Sequence, residues 1–511
     1  MTGPSVEPVQ THSTRPPVGR EHLEHSSRAA LTFGWVMYGV TFIVLLSLSH
    51  HYTVPVTKIW LLGFGIIGFW RWSWAAMHMA RALLYRHLVF PRIRAQAGRA
   101  SKPPQLFFVI TSYRIAAVLN HAVYRRVLAE VASFGVPATV LACITDPADA
   151  ALITDLVHQA RDLPPGTSVI VIPQAGKGKR HAMGEALRLM RKQHPPRGSM
   201  TILMDGDSIL GQGSLARACM VLASQADVGA VTTENVPWVK GTGLVREWYR
   251  LRMAQRHSYM CSLSLSRKLL VLTGRFSVFR AEIATSADFI LAIEHDSIRH
   301  WRLGQIKMLT GDDKSSWYAV LRRGWNMLYI PDAVIHPVEE LPAGNVLSAT
   351  TALMTRWYGN MVRSNGRAIA LGPKHCGMFP WLCFVDQRLS MWTALIGPMS
   401  AIVLSFSYGA TIFCSYLLWV LVSRGLICLA LGLTSGRFHP LFPFILYYGQ
   451  VVGSLIKIRV SFQPHRQRWT RQKVSAGSDD AAAALRDLSS ALLGSVVIVL
   501  VLMTLILYAA G

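Results

Sequence analysis

The spacing of apolar positions changes twice along the chain. Leu31–Ser49, Met391–Phe406, Thr411–Leu431 and Ala491–Ala509 are apolar runs with few polar breaks. At ~1.5 Å of helix rise per residue, such runs reach across, or nearly across, a hydrocarbon core of ~30 Å. Leu31–Ser49 has no short apolar stretch ending in a small-residue cleavage site, so a span is expected there rather than a signal peptide. Another run starts near Val56 and continues towards Ala80. Arg71 interrupts it among Trp70, Trp72 and Trp74, which suits an aromatic belt at headgroup level. Between the outer runs, from Gln105 to about Gly372, short β-branched segments alternate with helical periodicity. Leu106–Thr111, Ala138–Ile144, Ser168–Pro173 and Thr201–Met204 are expected strands; Val118–Ser133 and His181–Gln193 are expected helices. Alternation at this spacing predicts a largely parallel α/β sheet of Rossmann-like type, with ligands at the edge where the strands end.

Charge fixes the expected orientation. Arg81, Arg86, Arg92, Arg94, Arg99 and Lys102 follow the second run with no acidic residue among them, which places the middle segment on the cytoplasmic side. Pro440–Val460 is apolar too. A full crossing there would carry Lys457, Arg459, Arg466, Arg468, Arg471 and Lys473 to the outside, so 440–460 is expected to lie in the interface and the basic loop 461–475 to stay inside. The expected layout is a disordered tail 1–28, two membrane helices in 29–80, a catalytic domain 81–375 and a second membrane region 376–511.

Composition narrows the class. Of 511 residues, 15% are charged and 51% hydrophobic, which excludes a disordered chain and fits a wholly soluble enzyme poorly. The 52 Lys+Arg against 27 Asp+Glu give a net charge of +25, which beside apolar spans suits anionic lipid; no aromatic-interleaved basic patch suggests nucleic acid. Seven cysteines without a C-x-x-C pair imply reduced thiols rather than a disulfide framework.

Four clusters carry candidate chemistry. Asp205-Gly206-Asp207 ends an expected strand, where paired carboxylates can hold a hard divalent cation against a diphosphate; the alternative is a surface turn. Gly311-Asp312-Asp313-Lys314 offers a carboxylate base, or an N-cap for the helix from Ser315. Glu294 and Asp296 are expected on a solvated helix face. Gly176-Lys177-Gly178-Lys179-Arg180 opens a helix after a strand and favours a phosphate without matching a Walker loop. Arg356-Trp357-Tyr358-Gly359-Asn360 suits either sugar stacking or anchoring at a membrane surface.

A strand-end D-x-D, a G-D-D and an R-W pair ahead of membrane helices together resemble the processive family 2 glycosyltransferases, whose members make cellulose, hyaluronan, chitin and alginate. The family pattern is D, D-x-D, [TG]-E-D and Q-x-x-R-W; here Leu353 stands where the family has Gln. Within the family, the segments Arg256–Ser266, Thr273–Arg280, His300–Gly304, Leu309–Trp317, Arg356–Asn360, Phe384–Arg388 and Tyr447–Val452 closely resemble the alginate (mannuronan) polymerases. Trp469-Thr470-Arg471 resembles the gating loop of hyaluronan synthases.

The resemblance implies a GT-A catalytic domain, set between membrane helices in the bacterial inner membrane. It implies GDP-mannuronate as donor, β-1,4 polymannuronate as product and transfer with inversion. Asp205 and Asp207 would hold Mg²⁺ or Mn²⁺, with Asp205 also facing the nucleotide. Asp313 would be the base, in a catalytic cluster with Asp312 and Lys314. Thr111, Lys179 and Asp146 (Asp149 as fallback) would contact the nucleotide, Arg356 and Trp357 the acceptor, and Trp469–Arg471 would close over the site. Arg424 is an unusual intramembrane cation, suited to a polyanion's channel or to pairing with a neighbouring helix. The chain lacks paired R-x-x-x-R and [DN]-x-S-x-x-G motifs, so a separate membrane-attached cyclic di-GMP receptor is the expected partner, together with periplasmic export and modification proteins. A membrane transferase of different donor and a non-catalytic export scaffold are the competing classes.

Overall fold

The structure is a computed structural model that describes residues 27–49, 66–341, 344–468 and 481–510. Most of the expected tail, the first part of the second apolar run and the Trp469–Arg471 segment lie outside the described residues.

The four expected strands form: β1 (Leu106–Thr111), β2 (Ala138–Ile144), β3 (Ser168–Pro173) and β4 (Met200–Asp205). β1 and β2 are buried almost throughout, as continuous apolar strands covered on both faces should be. They pair in parallel in the order β3-β2-β1-β4. Beyond β4 the sheet turns mixed, with β5 (Ser208–Leu210), β6 (Val228–Asn235), β7 (Trp238–Val239), β8 (Ser277–Arg280) and β11 (Asn326–Glu339) completing the order β4-β8-β6-β11-β5. β8 runs antiparallel to both β4 and β6, and β5 is antiparallel to β11. The expected largely parallel sheet is thus found, with β8 and β5 as antiparallel additions that make it mixed. Short strands such as Ser277–Arg280 show burial in their sequence but not direction, which is set by the long Gly243–Ser264 helix that returns the chain. A separate hairpin joins β9 (Ser297–His300) to β10 (Gly304–Lys307).

Register decides where chemistry can occur. Thr111 is level with Cys143 on β2 and with Asp205 on β4, so three parallel strands end together. The amide of Val338, near the end of β11, donates to the Asp207 carbonyl at 2.9 Å and brings a fourth strand end to the same edge.

Among the described residues, four helices are long and apolar enough to cross a membrane: Arg28–Ser49, Met378–Phe406, Thr411–Ser435 and Ala484–Val501. The Phe442–Phe462 helix is not among them and packs against the helices from Val346, Met378 and Thr411. The described part of the second apolar run belongs to the Ile66–Leu84 helix, which packs on Gly243–Ser264. Its Arg71 pairs with Asp386 at 2.6 Å, and Arg81 donates to Ser262 and Ser266 while lying 3.8 Å over the Phe379 ring. All seven cysteines are free and all but Cys414 are buried.

The sheet and the membrane helices also meet at Glu234 on β6. Its carboxylate accepts from the Tyr329 hydroxyl and from His257 Nδ1, and Arg437, in the loop between the Thr411–Ser435 and Phe442–Phe462 helices, lies 3.5 Å away. Burial alone would raise the Glu234 pKa; His257 and the arginines Arg437 and Arg256 outweigh it and hold the value at about 2. A carboxyl depressed in the folded state stabilises the fold above its unfolded pKa, and that contribution is lost as pH falls towards about 2. Glu234→Gln keeps the shape but removes the buried charge that His257 and Arg437 face, so it should cost about 3 kcal/mol at neutral pH. Thermal unfolding followed by tryptophan fluorescence checks this, and an unchanged midpoint would mean the network contributes nothing.

Candidate active site

The Asp205-Gly206-Asp207 turn is possible only because its middle residue has no side chain. A Cβ on Gly206 would lie 2.2 Å from Ser112 Oγ and 2.9 Å from the Thr111 carbonyl oxygen, so the turn rests directly on the end of β1. Both carboxylates are half-buried. Facing them is Lys179, the first residue of the Lys179–Lys192 helix, preceded by Gly178 at φ 102°. Its Nζ lies 2.6 Å from Asp205 Oδ1 and 2.5 Å from Asp312 Oδ2, joining the two acidic motifs. Burial pushes the Asp205 pKa up to about 6; Asp207 and Asp312 add to the rise and Lys179 opposes it. Burial also disfavours the Lys179 cation, but Asp205 and Asp312 more than compensate and keep it charged.

The basic segment divides its work. Lys177 is exposed, Lys179 faces the carboxylates, and Arg180 turns inward. The Arg180 guanidinium donates to the carbonyls of Ile293 (2.8 Å) and Thr310 (3.0 Å) and to Ser315 Oγ (3.1 Å). It thereby fixes the chain on both sides of Gly311, which adopts φ 82° and occupies the N-cap position of the Asp312–Arg322 helix. The cap is thus Gly311 and not an aspartate. Asp312 is buried; burial raises its pKa, but Lys179 and Arg180 outweigh this and hold it below the ordinary carboxylate range. Asp313 is half-exposed, and burial together with repulsion from Asp312 pushes its pKa up. The two adjacent carboxylates are therefore driven in opposite directions, with Asp313 the more basic. Lys314 directs Nζ to the Leu270 carbonyl at 2.7 Å and over the Trp317 ring; burial brings its pKa down to about 8. It anchors the helix from behind.

Glu294 and Asp296 do not lie on a solvated face. Glu294 is paired with Arg188 and His181, and Asp296 with Arg367 at 2.6 Å and with the Ser315 hydroxyl, which leaves both side chains under one-tenth exposed. Periodicity around Ile293–Ile298 did not reveal partners that come from distant helices.

Arg356 and Trp357 lie on the Val346–Cys376 helix, at the same edge. Trp357 stacks on Trp248 with planes 11° apart and centroids 5.6 Å apart, and meets Tyr249 edge-on. Burial lowers the Arg356 pKa while Tyr249, Asp207, Asp205 and Asp313 favour its charge, so the guanidinium lies within electrostatic reach of both acidic motifs. Arg275 is placed likewise and pairs with Glu339 at the end of β11, which also accepts from the Tyr249 hydroxyl at 3.2 Å. Leu353, at the position of the family's Gln, is buried in an apolar cluster with Val245 and Trp248.

Asp146 does not join this constellation. It is exposed and caps the Pro147–Gln159 helix through a 3.0 Å bond from the Ala148 amide. Asp149 is buried beside Asn120, and burial raises its pKa. Thr111 stands next to Asp205 as the register requires. Trp248, Tyr249 and Glu339 are site residues that sequence reasoning missed; an aromatic pair within a helix carries no signal of a stacking partner more than a hundred residues away.

Mg²⁺ or Mn²⁺ fits this donor set in a limited way. A Cβ on Gly274 would stand 3.5 Å from Asp312 Oδ2 and Lys179 Nζ and 3.6 Å from Asp205 Oδ2, so the bare glycine leaves the carboxylates open to a ligand. Among the described residues, no group of three or more His, Cys, Asp or Glu is arranged so that it could hold a metal ion. The chain itself offers Asp205 and Asp207, the kind of donor pair that suits a cation sharing its remaining positions with phosphate and water.

Comparison with known proteins places the chain in a family. Residues 103–360 match the sequence model described as glycosyltransferase like family 2. The chain is 37% identical over 456 residues to "Glycosyltransferase alg8" of Pseudomonas syringae pv. tomato, covering 88% of this chain and 92% of that protein. The protein of the same name from Azotobacter vinelandii is 37% identical over 459 residues, with the same coverage of both chains. Among solved structures, the mannosyltransferase PcManGT from Pyrobaculum calidifontis, in complex with GDP-Man and Mn²⁺, is 17% identical with a TM-score of 0.41, covering 75% of this chain and 98% of that one.

Gly206→Ala tests the turn. Forcing a methyl against backbone costs ~1–3 kcal/mol. The purified variant should therefore unfold at a lower temperature, its stability reduced by a cost in that range, whereas an unchanged midpoint would show that the turn does not press on the end of β1.

Proposed function

Since the chain belongs to family 2 of the glycosyltransferases and is a glycosyltransferase with the GT-A-like fold, we propose that it polymerises mannuronate from GDP-mannuronate into β-1,4 polymannuronate, the precursor of alginate. The observation that carries this reading is the convergence of Asp205, Lys179, Asp312, Asp313, Arg356 and Trp357 at one sheet edge. The likeness to the alg8 proteins supports the choice of polymer.

In this reading Lys179 and Arg356 bring positive charge to the donor diphosphate. Asp313 accepts the proton of the acceptor 4-hydroxyl; that oxygen bonds to the mannuronate C1 as the bond from C1 to the phosphate oxygen breaks, and GDP leaves with its electron pair. Attack opposite the leaving group inverts the configuration. Mg²⁺ or Mn²⁺ held by Asp205 and Asp207 would neutralise charge on the leaving diphosphate. The half-buried Trp357, backed by the buried Trp248, turns its remaining aromatic surface to a sugar ring, and Asp312, fixed by Lys179, holds the turn that presents Asp313.

The apolar helices favour a multi-pass protein of the bacterial inner membrane with the sheet on the cytoplasmic side, where the basic residues from Arg81 to Lys102 and from Lys457 to Arg468 belong. Passage of the product across the membrane, gating by Trp469–Arg471, a membrane-attached cyclic di-GMP-binding co-polymerase and periplasmic export proteins complete the proposal. Membranes containing this chain should incorporate labelled mannuronate from GDP-mannuronate and not labelled sugar from GDP-mannose or UDP-glucuronate. Equal use of a UDP-sugar would refute the donor assignment.

Two substitutions separate the roles. Asp313→Asn removes the proton acceptor and should cut transfer by about 10²–10⁴-fold, with GDP affinity kept. In the wild type the transfer rate should fall as pH drops through the raised Asp313 pKa, because only the carboxylate accepts a proton. Normal turnover by Asp313→Asn would reverse the assignment. Asp207→Asn should instead weaken GDP binding in the presence of Mn²⁺ and abolish the gain that Mn²⁺ gives; a GDP titration with unchanged metal dependence would sink the metal assignment.

A further inference from the structure

The turn that carries Asp312 and Asp313 is held from outside the sheet as well as from within it. Gln467 lies five residues past the end of the Phe442–Phe462 helix and is 5% exposed. Its Oε1 accepts from the amides of Leu309 (2.9 Å) and Thr310 (3.3 Å), and its Nε2 donates to the carbonyl of Lys307 (2.8 Å). One side-chain amide thus satisfies three backbone groups in the four residues from Lys307 to Thr310, immediately before Gly311. A buried backbone amide left without a partner is costly, so these bonds fix the path of the chain into the turn.

A second contact reaches the same place from the same segment. Arg363 donates to the Pro464 carbonyl (3.3 Å), to Thr310 Oγ1 (3.1 Å) and to Asn360 Oδ1 (2.6 Å), and the Thr310 hydroxyl also donates to Asn360 Oδ1 (2.6 Å). Asn360 in turn backs onto Gly311, where a Cβ would lie 3.0 Å from its Cγ. The left-handed Gly311 is thereby held between Arg180 on the sheet side and the Gln467–Arg363–Asn360 group on the other.

We propose that Gln467 is a positioning residue for transfer: its three hydrogen bonds to Lys307, Leu309 and Thr310 set where the Asp312–Asp313 turn presents its carboxylates. The assignment rests on the reading above that Asp313 serves as base. It makes the segment leaving the Phe442–Phe462 helix part of the catalytic apparatus, although it contributes no reacting group. Gln467 bonds only to backbone ahead of Gly311 and touches neither Asp205 nor the Asp312–Lys179 pair, so its loss should slow transfer through the placing of Asp313 far more than it weakens nucleotide binding. That split distinguishes positioning from general support of the fold.

The test uses the full chain in membranes. Gln467→Leu removes all three bonds at similar volume. Gln467→Glu keeps the acceptor for Leu309 and Thr310 but places a carboxylate oxygen against the Lys307 carbonyl. The expected order of kcat is wild type above Gln467→Glu above Gln467→Leu, with Gln467→Leu at least tenfold down and the GDP affinity of each variant within twofold of wild type. Wild-type kcat in Gln467→Leu would overturn the proposal, as would a loss of GDP binding in proportion to the loss of rate. Should Gln467→Leu fail to insert or fold, Gln467→Glu decides alone: reduced kcat at unchanged GDP affinity supports the role, and any other result contradicts it. Asp313→Asn measured alongside keeps the two readings apart. If Asp313→Asn is as active as wild type, the reading of the turn as catalytic fails; if it is inactive and both Gln467 variants turn over normally, only the positioning role fails.

Discussion

A single ammonium group holds the active site together. Lys179 Nζ lies between Asp205, at the end of β4, and Asp312, at the start of a helix more than a hundred residues later. Without it, Asp205, Asp312 and Asp313 would crowd negative charge into a partly desolvated place, and their pKa values would rise together. With it, Asp312 is held low while Asp313 is left raised, so two neighbouring carboxylates of the same residue type become different acids. The neighbouring Arg180 serves the same end by fixing the carbonyls that enter the turn. Bound diphosphate would add negative charge beside a cation that the carboxylates have already placed and kept protonated.

Polar contacts weld this cluster to the helices around it. Tyr85 donates to the Tyr329 carbonyl on β11, Arg71 pairs with Asp386, Arg437 approaches Glu234 on β6, and Gln467 holds the chain before Gly311. Each joins a residue of the sheet or its loops to a helix or loop of the apolar regions, or one apolar region to the other. Buried polar bonds of this kind are directional where apolar packing is not, so they fix the sheet edge relative to the helices. A glycosyltransferase needs that fixity, because donor and acceptor must meet in one geometry at every transfer.

Much of this was legible in the sequence because strand-end motifs are local. The four first strands, the D-G-D turn and the Gly311-Asp312-Asp313 turn fall where pattern and glycine placement put them. Lys179 was legible as a phosphate-seeking cation but not as the link between two acidic motifs, since nothing local relates residues 179, 205 and 312. The antiparallel β8 was missed because four residues show burial without direction. Asp146, expected as a nucleotide contact from its place after β2, also caps a helix, a role for which aspartate before proline is well suited. Glu294 and Asp296 look solvated by composition and are paired by tertiary structure. The aromatic stack of Trp248 on Trp357 and the Gln467 bonds likewise join distant segments, and such pairings become visible only when the chain is folded.

The central claim is that Lys179 couples Asp205, the carboxylate proposed to face the metal, to the proposed catalytic turn through Asp312. A double-mutant cycle on GDP affinity measures that coupling directly, with wild type, Lys179→Met, Asp312→Asn and the double variant titrated under one set of conditions. Residues that act through one shared contact show interaction energies of about 0.5–3 kcal/mol, whereas independent sites add within ~0.5 kcal/mol. The account predicts a coupling of about 1 kcal/mol or more, with the double variant binding GDP little worse than Lys179→Met alone. Strictly additive losses would show that the two acidic motifs are independent and that the ion bridge does not organise the site.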